Sequence, residues 1–438
     1  MAAISNSAIP FIYGRPVYGD EFIDRDSDLM TILNRLKNGE STAIVGEPHI
    51  GKSSLLRQLA ESCISRSYMG HKARGLSVSL LDLHPITPDY SPVSFWADAL
   101  GPLSKRPGNS STRRLLTAAS ETDYSHRSLE RLFNHLASGQ RRLVLLLDEF
   151  EQLLIHPNFK TASFFTLLRS LATTSGGLAL ITASRLSVTD MIKWGRGLLD
   201  VGSGFFNHMI ELRLHPFDEQ ATEKLLERGG ESLPPQDRRF ARFVAGRHPF
   251  LLQAMAAALL ETAGDDRYAR AAEFFYGRIA FHFDELWHSM DGHTRTTAII
   301  LSLMELGGHA LGRDFSYGEI EREEAFGPQL RKLAELGIAE QVDRGWQFDW
   351  DHLLLWHGQR WRLETVSFAW WVRDVAIAEM RSMPSYDEWL DKKEYRLLLT
   401  QEQWNKLVSP LKNAPDWVLR GVGGMARTLF EELLKRTK

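Results

Sequence analysis

The run Gly46-Glu47-Pro48-His49-Ile50-Gly51-Lys52-Ser53 holds the clearest chemistry in this chain. It fits G-x-x-x-x-G-K-[ST] at every specified position. Glycines let such a backbone curl until successive N–H groups converge on one anion. A helix beginning near Lys52 adds the positive end of its dipole at the same place. In that frame the Lys52 ammonium bridges the β- and γ-phosphates of a nucleoside triphosphate, and the Ser53 hydroxyl ligates Mg²⁺. The residues expected to hold the nucleotide are Gly46, Glu47, Pro48, His49, Ile50, Gly51, Lys52, Ser53 and Ser54. The expected ligands are Mg²⁺ with ATP or ADP.

A second group lies roughly 100 residues on, where an apolar run, Leu143-Val144-Leu145-Leu146-Leu147, ends in Asp148-Glu149. A buried strand that ends in an acid sets a carboxylate at the sheet edge where ligands collect. Asp148 would orient Mg²⁺ through its water shell, and Glu149 would polarise the attacking water as a general base. The third group is Leu180-Ile181-Thr182-Ala183-Ser184-Arg185. Thr182, Ser184 or Arg185 could reach the γ-phosphate or its water, or Arg185 is simply a solvated loop arginine. Arg196 and Arg213 are weaker candidates for a charge supplied across a subunit contact.

The elements that must position these groups read as alternating strands and helices. Strands are expected at Thr42–Val45, Leu76–Leu83, Leu143–Leu147, Leu178–Thr182 and Met209–Leu214. A helix is expected over Ser53–Ile64, more helix from Phe95–Leu103, and an exposed loop over Lys105–Ser120. Strands separated by helices imply a parallel sheet with right-handed crossovers. From Asp218, a plausible N-cap, the pattern turns helical, with Pro234-Pro235 breaking it. Two strands at Ile338–Val342 and Trp346–Trp350, turning at Asp343-Arg344-Gly345, read as a wing. The tail from about Trp361 reads as helical and rich in aromatics, among them Trp356, Phe368, Trp370 and Trp371.

Bulk properties narrow the classes. With 438 residues the chain has room for roughly three domains. It is 43% hydrophobic and 24% charged, ordinary for a globular protein, and a net charge of −3 gives no general pull toward nucleic acid or anionic lipid. Cys63 is the single cysteine, so neither an internal disulfide nor a multi-cysteine zinc site can form. No apolar run approaches the ~18–20 residues that span a bilayer, and the N-terminus lacks a signal-peptide pattern, so a cytoplasmic chain is expected.

In this order, the motifs resemble the signal-transducing ATPases with numerous domains, the STAND branch of AAA+-like P-loop ATPases. Phe22-Ile23-Asp24-Arg25-Asp26-Ser27-Asp28-Leu29 looks like the entry motif that packs beside the base in that group, which brings Arg25 to the nucleotide. Gly246-Arg247-His248-Pro249 resembles the lid motif whose proline contacts the base or sugar, with one residue more between Gly and Pro than many relatives have. His352 is suggested as an ADP sensor. The resemblance implies an α/β P-loop NTPase core (a parallel, AAA+/ASCE-like sheet), an all-α lid, a winged-helix domain and a helical tail, over 1–216, 217–290, 291–358 and 359–438. It also implies a slow ATPase switch that forms a homo-oligomer when activated, acts with a separate effector or sensor, and serves bacterial defence. DNA binding is disfavoured. Gln329–Leu336 offers only Arg331 and Lys332 against Glu335, and Glu319, Glu321, Glu323 and Glu324 are expected on the preceding helix. A DNA-associated AAA+ ATPase and a non-hydrolysing nucleotide-binding scaffold are the competing readings.

Overall fold

The computed structural model describes residues 9–105, 109–160, 162–198, 206–264, 266–311, 323–343 and 359–377, with Val422, Gly424 and Ala426. The chain divides into two compact units, one of Arg15–Leu214 and one of Met1–Gly14 with His215–Lys438. Among the described residues no helix is long and apolar enough to cross a membrane.

Five strands make the sheet of the first unit: β1 (Ser41–Val45), β2 (Leu76–Asp82), β3 (Arg142–Asp148), β4 (Leu178–Ser184) and β5 (Met209–Arg213). They pair in parallel in the order β2-β3-β4-β1-β5. The helices are α1 (Asp26–Asn38), α2 (Lys52–Ile64), α3 (Arg66–Met69), α4 (Pro92–Ala99), α5 (Gly101–Lys105), α6 (Ser110–Glu121), α7 (His126–Ser138), α8 (Glu151–Ile155), α9 (Ala162–Thr174) and α10 (Val188–Leu198).

Successive strand residues feed opposite layers. Ala43, Val45, Leu143, Leu145, Leu147 and Leu180 share a core with Phe95, Trp96, Leu132 and Phe133. Ile44, Val144, Leu146, Ile181 and Ala183 share another with Leu29, Ile32, Leu33, Leu55 and Leu59. A strand covered on both faces needs apolar residues at both phases, which is why β3 reads as an unbroken apolar run. The helices answer with one apolar stripe each, as Leu29, Ile32, Leu33 and Leu36 do on α1.

The stretch read as an exposed loop over 105–120 contains α6 instead. Asn109 caps it by accepting a hydrogen bond from the Thr112 N–H at 2.7 Å, and Thr112, Leu116 and Ala119 are buried along one side. A sound cap and a narrow stripe outweigh the polar composition of the remaining faces.

In the second unit, α11 (Glu219–Leu226) starts at Asp218, whose side chain accepts from the Ala221 N–H at 2.7 Å. Pro234-Pro235 divides the helical region as expected, the second proline opening α12 (Pro235–Ala245), where Pro is favourable in the first turn. Then come α13 (Pro249–Glu261), α14 (Arg267–Ser289), α15 (Gly292–Leu311) and α16 (Glu323–Glu335). Glu323 and Glu324 therefore lie on the same helix as Arg331 and Lys332, not on a preceding one; Glu319 and Glu321 lie outside the described residues.

The antiparallel pair after α16 differs from the expected wing. β6 (Ala339–Asp343) pairs with β7 (Gln359–Leu363), Ala339 opposite Leu363 and Asp343 opposite Gln359. The expected partner, 346–350, lies outside the described residues, as does His352. The pair crosses the 358/359 boundary, and Trp361, expected in a helix, is in a strand. Leu363 and Ala339 are both buried, and the Glu364 N–H donates to the Ile338 carbonyl at 2.8 Å, so the pairing closes over apolar residues. After it, α17 (Val366–Val372) is buried throughout, with Phe368 against Phe283 (5.5 Å between centroids) and Trp371 against Trp287 (5.4 Å). Phe368 and Trp371 thus pack against α14.

One glycine of the first unit is held tightly. A Cβ on Gly177 would stand 2.1 Å from the Phe133 carbonyl oxygen, where β4 begins against α7. Gly177→Ala should therefore cost about 1–3 kcal/mol by overpacking, read as a lower unfolding midpoint in calorimetry with the nucleotide-binding affinity retained.

Candidate functional site

The loop leaving β1 is shaped by two demands, close approach and a tight curl. A Cβ on Gly46 would lie 2.9 Å from Ile50 Cγ2 and 3.3 Å from the Leu214 carbonyl oxygen, so the chain passes there only without a side chain. His49 and Gly51 take left-handed conformations, with φ of 60° and 107°. Glu47, Pro48 and Ile50 are buried and His49 is exposed. Gly51 then caps α2, placing Lys52 in its first turn.

Lys52 is 5% exposed, and its Nζ donates to the Gly46 and Glu47 carbonyls, each at 2.9 Å. Burial pushes its pKa down, opposed in turn by Glu149, Glu151, Glu47 and Asp148. The loop is thus wound around its own ammonium, with four carboxylates acting on it.

Asp148 ends β3 and is 8% exposed. Burial raises its pKa, and a hydrogen bond from the Ser53 hydroxyl is the largest opposing effect; Asp82, in register on β2, raises it further. Its Oδ1 also accepts the Glu149 N–H at 3.1 Å. Ser53 thus stands near enough to Asp148 to act on its charge, as two oxygen donors to one hard cation would. Among the described residues no group of three His, Cys, Asp or Glu could hold a metal. A cation at Ser53 and Asp148 would take its other ligands from water and phosphate, which suits Mg²⁺.

Glu149 sits at φ 53°, a left-handed conformation uncommon for a residue with a side chain. Its carboxyl is raised above the usual range, first by burial and then by Glu151, while Lys52 and Arg185 oppose this. Arg185 follows β4. Its main-chain N–H and its Nε both donate to Glu151 Oε1, at 3.0 and 3.3 Å. Lys52, Ser53, Asp148, Glu149 and Arg185 thus share one neighbourhood. Glu151 belongs to it as well, and no reading of the sequence singled it out. The available signal was a carboxylate flanked by Phe150, Leu153 and Leu154, where burial is costly without a task.

The other candidates are placed less directly. Thr182 is enclosed within β4, and the Ser184 hydroxyl accepts from the Leu186 N–H at 3.0 Å. Ser54 Oγ accepts from the Val17 N–H at 3.1 Å, tying the entry segment to α2. Arg25 is buried at φ 68°, with Nη2 3.4 Å from the Ile50 carbonyl and Nη1 3.6 Å from Asp28, so it contacts the loop through the loop's main chain. Arg213 pairs with Glu211 at 3.2 Å. Arg196 lies in α10, with its side chain outside the description. Pro249 belongs to the second unit, buried in the first turn of α13.

Residues 17–201 match the family model described as Novel STAND NTPase 1. Among solved structures, a Walker-type ATPase of Pyrococcus abyssi aligns with a TM-score of 0.50 at 17% identity, covering 82% of this chain and 99% of that one. The ORC2 protein of Aeropyrum pernix, solved as ADPNP-ADP complexes, aligns with a TM-score of 0.43 at 15% identity over 83% of this chain and 98% of that one. A STAND protein with a tetratricopeptide repeat sensor from Pyrococcus horikoshii gives 0.35 at 12% identity, over 92% of this chain and 50% of that one. No curated protein matches. At such identities the first of these structures speaks for the fold, an α/β P-loop ATPase core.

Replacing the buried ammonium tests the loop. Lys52→Ala should weaken binding of a fluorescent ATP analogue by about 10- to 150-fold, the range for losing a hydrogen bond to a charged group, with the far-UV spectrum unchanged. Unaltered affinity would remove Lys52 from the site.

Proposed function

We propose that this chain, a STAND-type P-loop NTPase over residues 17–201, binds ATP with Mg²⁺ and hydrolyses it slowly, the nucleotide serving as a latch. The observation that carries the reading is the buried Lys52, whose ammonium donates to the Gly46 and Glu47 carbonyls at 2.9 Å each in a loop that turns through left-handed His49 and Gly51, with Asp148 near enough to act on its charge. Two oxygen donors and one ammonium, drawn together from α2 and β3, fit the polyphosphate end of a nucleotide and its cation. Bound there, Mg²⁺ would draw charge from the β- and γ-phosphate oxygens.

The chain's own residues then divide the work. N–H groups of the Gly46–Gly51 loop and the start of α2 bind phosphate oxygens, and Lys52 exchanges its loop carbonyls for them. Glu149 receives the proton of the attacking water on a carboxylate oxygen. Arg185 balances negative charge beside it. Because burial and Glu151 hold the Glu149 carboxyl above its ordinary range, its basic form is lost at a higher pH than for a solvated glutamate. Turnover should therefore fall on acidification at a pH above the usual ~4.3, read as the acid limb of a kcat–pH profile. A limb at the ordinary value would place the base elsewhere.

The latch requires ATP and ADP to favour different conformations. In this reading the ATP form self-associates and meets a separate effector, and hydrolysis resets it. Glu149→Gln is the direct test. It should keep ATP affinity, lose turnover by about 10²- to 10⁴-fold, and hold the chain in its ATP-form assembly when mass in solution is measured with ATP and with ADP. Wild type without turnover, and with one mass in both nucleotides, would leave a passive nucleotide-binding scaffold.

A further inference from the structure

We propose that Glu151 is a positioning residue that sets Arg185 at the γ-phosphate end of the site, so that the pair lets the chain distinguish ATP from ADP. The proposal rests on the nucleotide-binding reading above and names a determinant of specificity within it.

Glu151 opens α8, directly after the turn that carries Glu149. Its side chain is 6% exposed, whereas that of Arg185 is 41% exposed. The carboxylate is the enclosed, fixed partner, and the guanidinium is the one that reaches outward. One oxygen, Oε1, receives both the main-chain N–H and the Nε of Arg185, which pins the side chain at its root and near its tip. This grip spans two strands, since α8 follows β3 and Arg185 follows β4, its pairing neighbour.

The other oxygen, Oε2, is buried and without a hydrogen-bond partner among the described residues. Holding a carboxylate out of water is costly, and the two bonds that Oε1 accepts from Arg185 are what offset that cost. The carboxylate's charge acts on the surrounding site, bearing on Lys52 and on Glu149. Arg185 likewise lies close enough to Glu149 to act on its charge, and a group beside the water-polarising carboxylate meets the third phosphate rather than the first two. A guanidinium held there gains an interaction with ATP that ADP does not offer, and the holder is Glu151.

The test uses the full chain, with binding as its readout. Dissociation constants for ADP and for a non-hydrolysable ATP analogue are measured calorimetrically in wild type, Arg185→Ala, Glu151→Ala, Glu151→Gln and the Arg185→Ala/Glu151→Ala double variant. Wild type should prefer the ATP analogue. Arg185→Ala and Glu151→Ala should each reduce that preference by about tenfold, with ADP affinity within about twofold of wild type. The double variant should be no worse than either single one, and Glu151→Gln should keep most of the preference, because its amide oxygen can accept both bonds. Glu151→Ala that keeps the preference while Arg185→Ala loses it overturns the proposal, as does a double variant whose losses multiply. Parallel loss of ADP affinity and unfolding temperature in both Glu151 variants also overturns it, leaving Glu151 a role in folding alone. Wild type that binds neither nucleotide overturns the nucleotide-binding reading itself.

Discussion

A lysine ammonium withdrawn from water makes demands on everything around it. Lys52 is almost fully buried, and burial by itself disfavours the charge it carries. The loop responds by turning two of its own carbonyls inward, which requires His49 and Gly51 to adopt left-handed conformations. The rest of the response is electrostatic, from Glu149, Glu151, Glu47 and Asp148. Carbonyls and carboxylates that compensate a buried charge are groups a polyphosphate can displace or share, so the arrangement that stabilises the lysine also prepares it to meet an anion.

Bringing those groups together is the work of the sheet. β1 carries the loop and β3 carries Asp148, yet the two do not pair; β4 lies between them. Parallel pairing ends all three at one edge, with Val45 beside Ser184 and Leu147 beside Thr182. The central position of β4 delivers Arg185 between the phosphate loop and the acidic turn. The alternation of Leu143, Leu145 and Leu147 into one core and Val144 and Leu146 into the other fixes the register, since a shift by one residue would exchange the layers. Register in turn fixes which residue of the Asp148-Glu149 pair ends the strand and which enters the turn.

Features whose chemistry is local were legible in the sequence. The phosphate loop needs fixed residue types at consecutive positions, and a doubly covered strand needs an unbroken apolar run, so Gly46–Ser53 and β3 could be read directly. Helix α6 escaped because its sequence is rich in Ser, Thr and Arg and its support is a cap at Asn109 with a narrow buried stripe. Glu151 escaped for a different reason. Its partner, Arg185, is supplied by another strand, and nothing local to Asp148-Glu149-Phe150-Glu151 announces which strand will lie alongside. The partner of β6 is another non-local choice: Asp343-Arg344-Gly345 is a genuine turn signal, but the described pairing is with Gln359–Leu363.

The Gly246–Pro249 segment shows how a departure in spacing can be absorbed. Relative to the shorter motif it holds one residue more, and both residues between Gly and Pro are fixed from outside. Arg247 gives its N–H and its guanidinium to Glu364, with Nη2 at 3.2 Å from Oε2, while its carbonyl accepts from the Phe217 N–H at 3.0 Å. His248 is enclosed, its ring 4.8 Å from that of His282. Gly246, at φ 66°, passes so close to Thr365 that a Cβ would lie 2.5 Å from its hydroxyl. The segment's shape is therefore imposed by residues 364 and 365, just after β7, as much as by its own sequence. A buried carboxylate that has lost its arginine is strongly destabilising, far more so than a surface pair. Glu364 thus ties the turn before α13 to the strand pair, and whatever alters one end of that tie is felt at the other within the same unit.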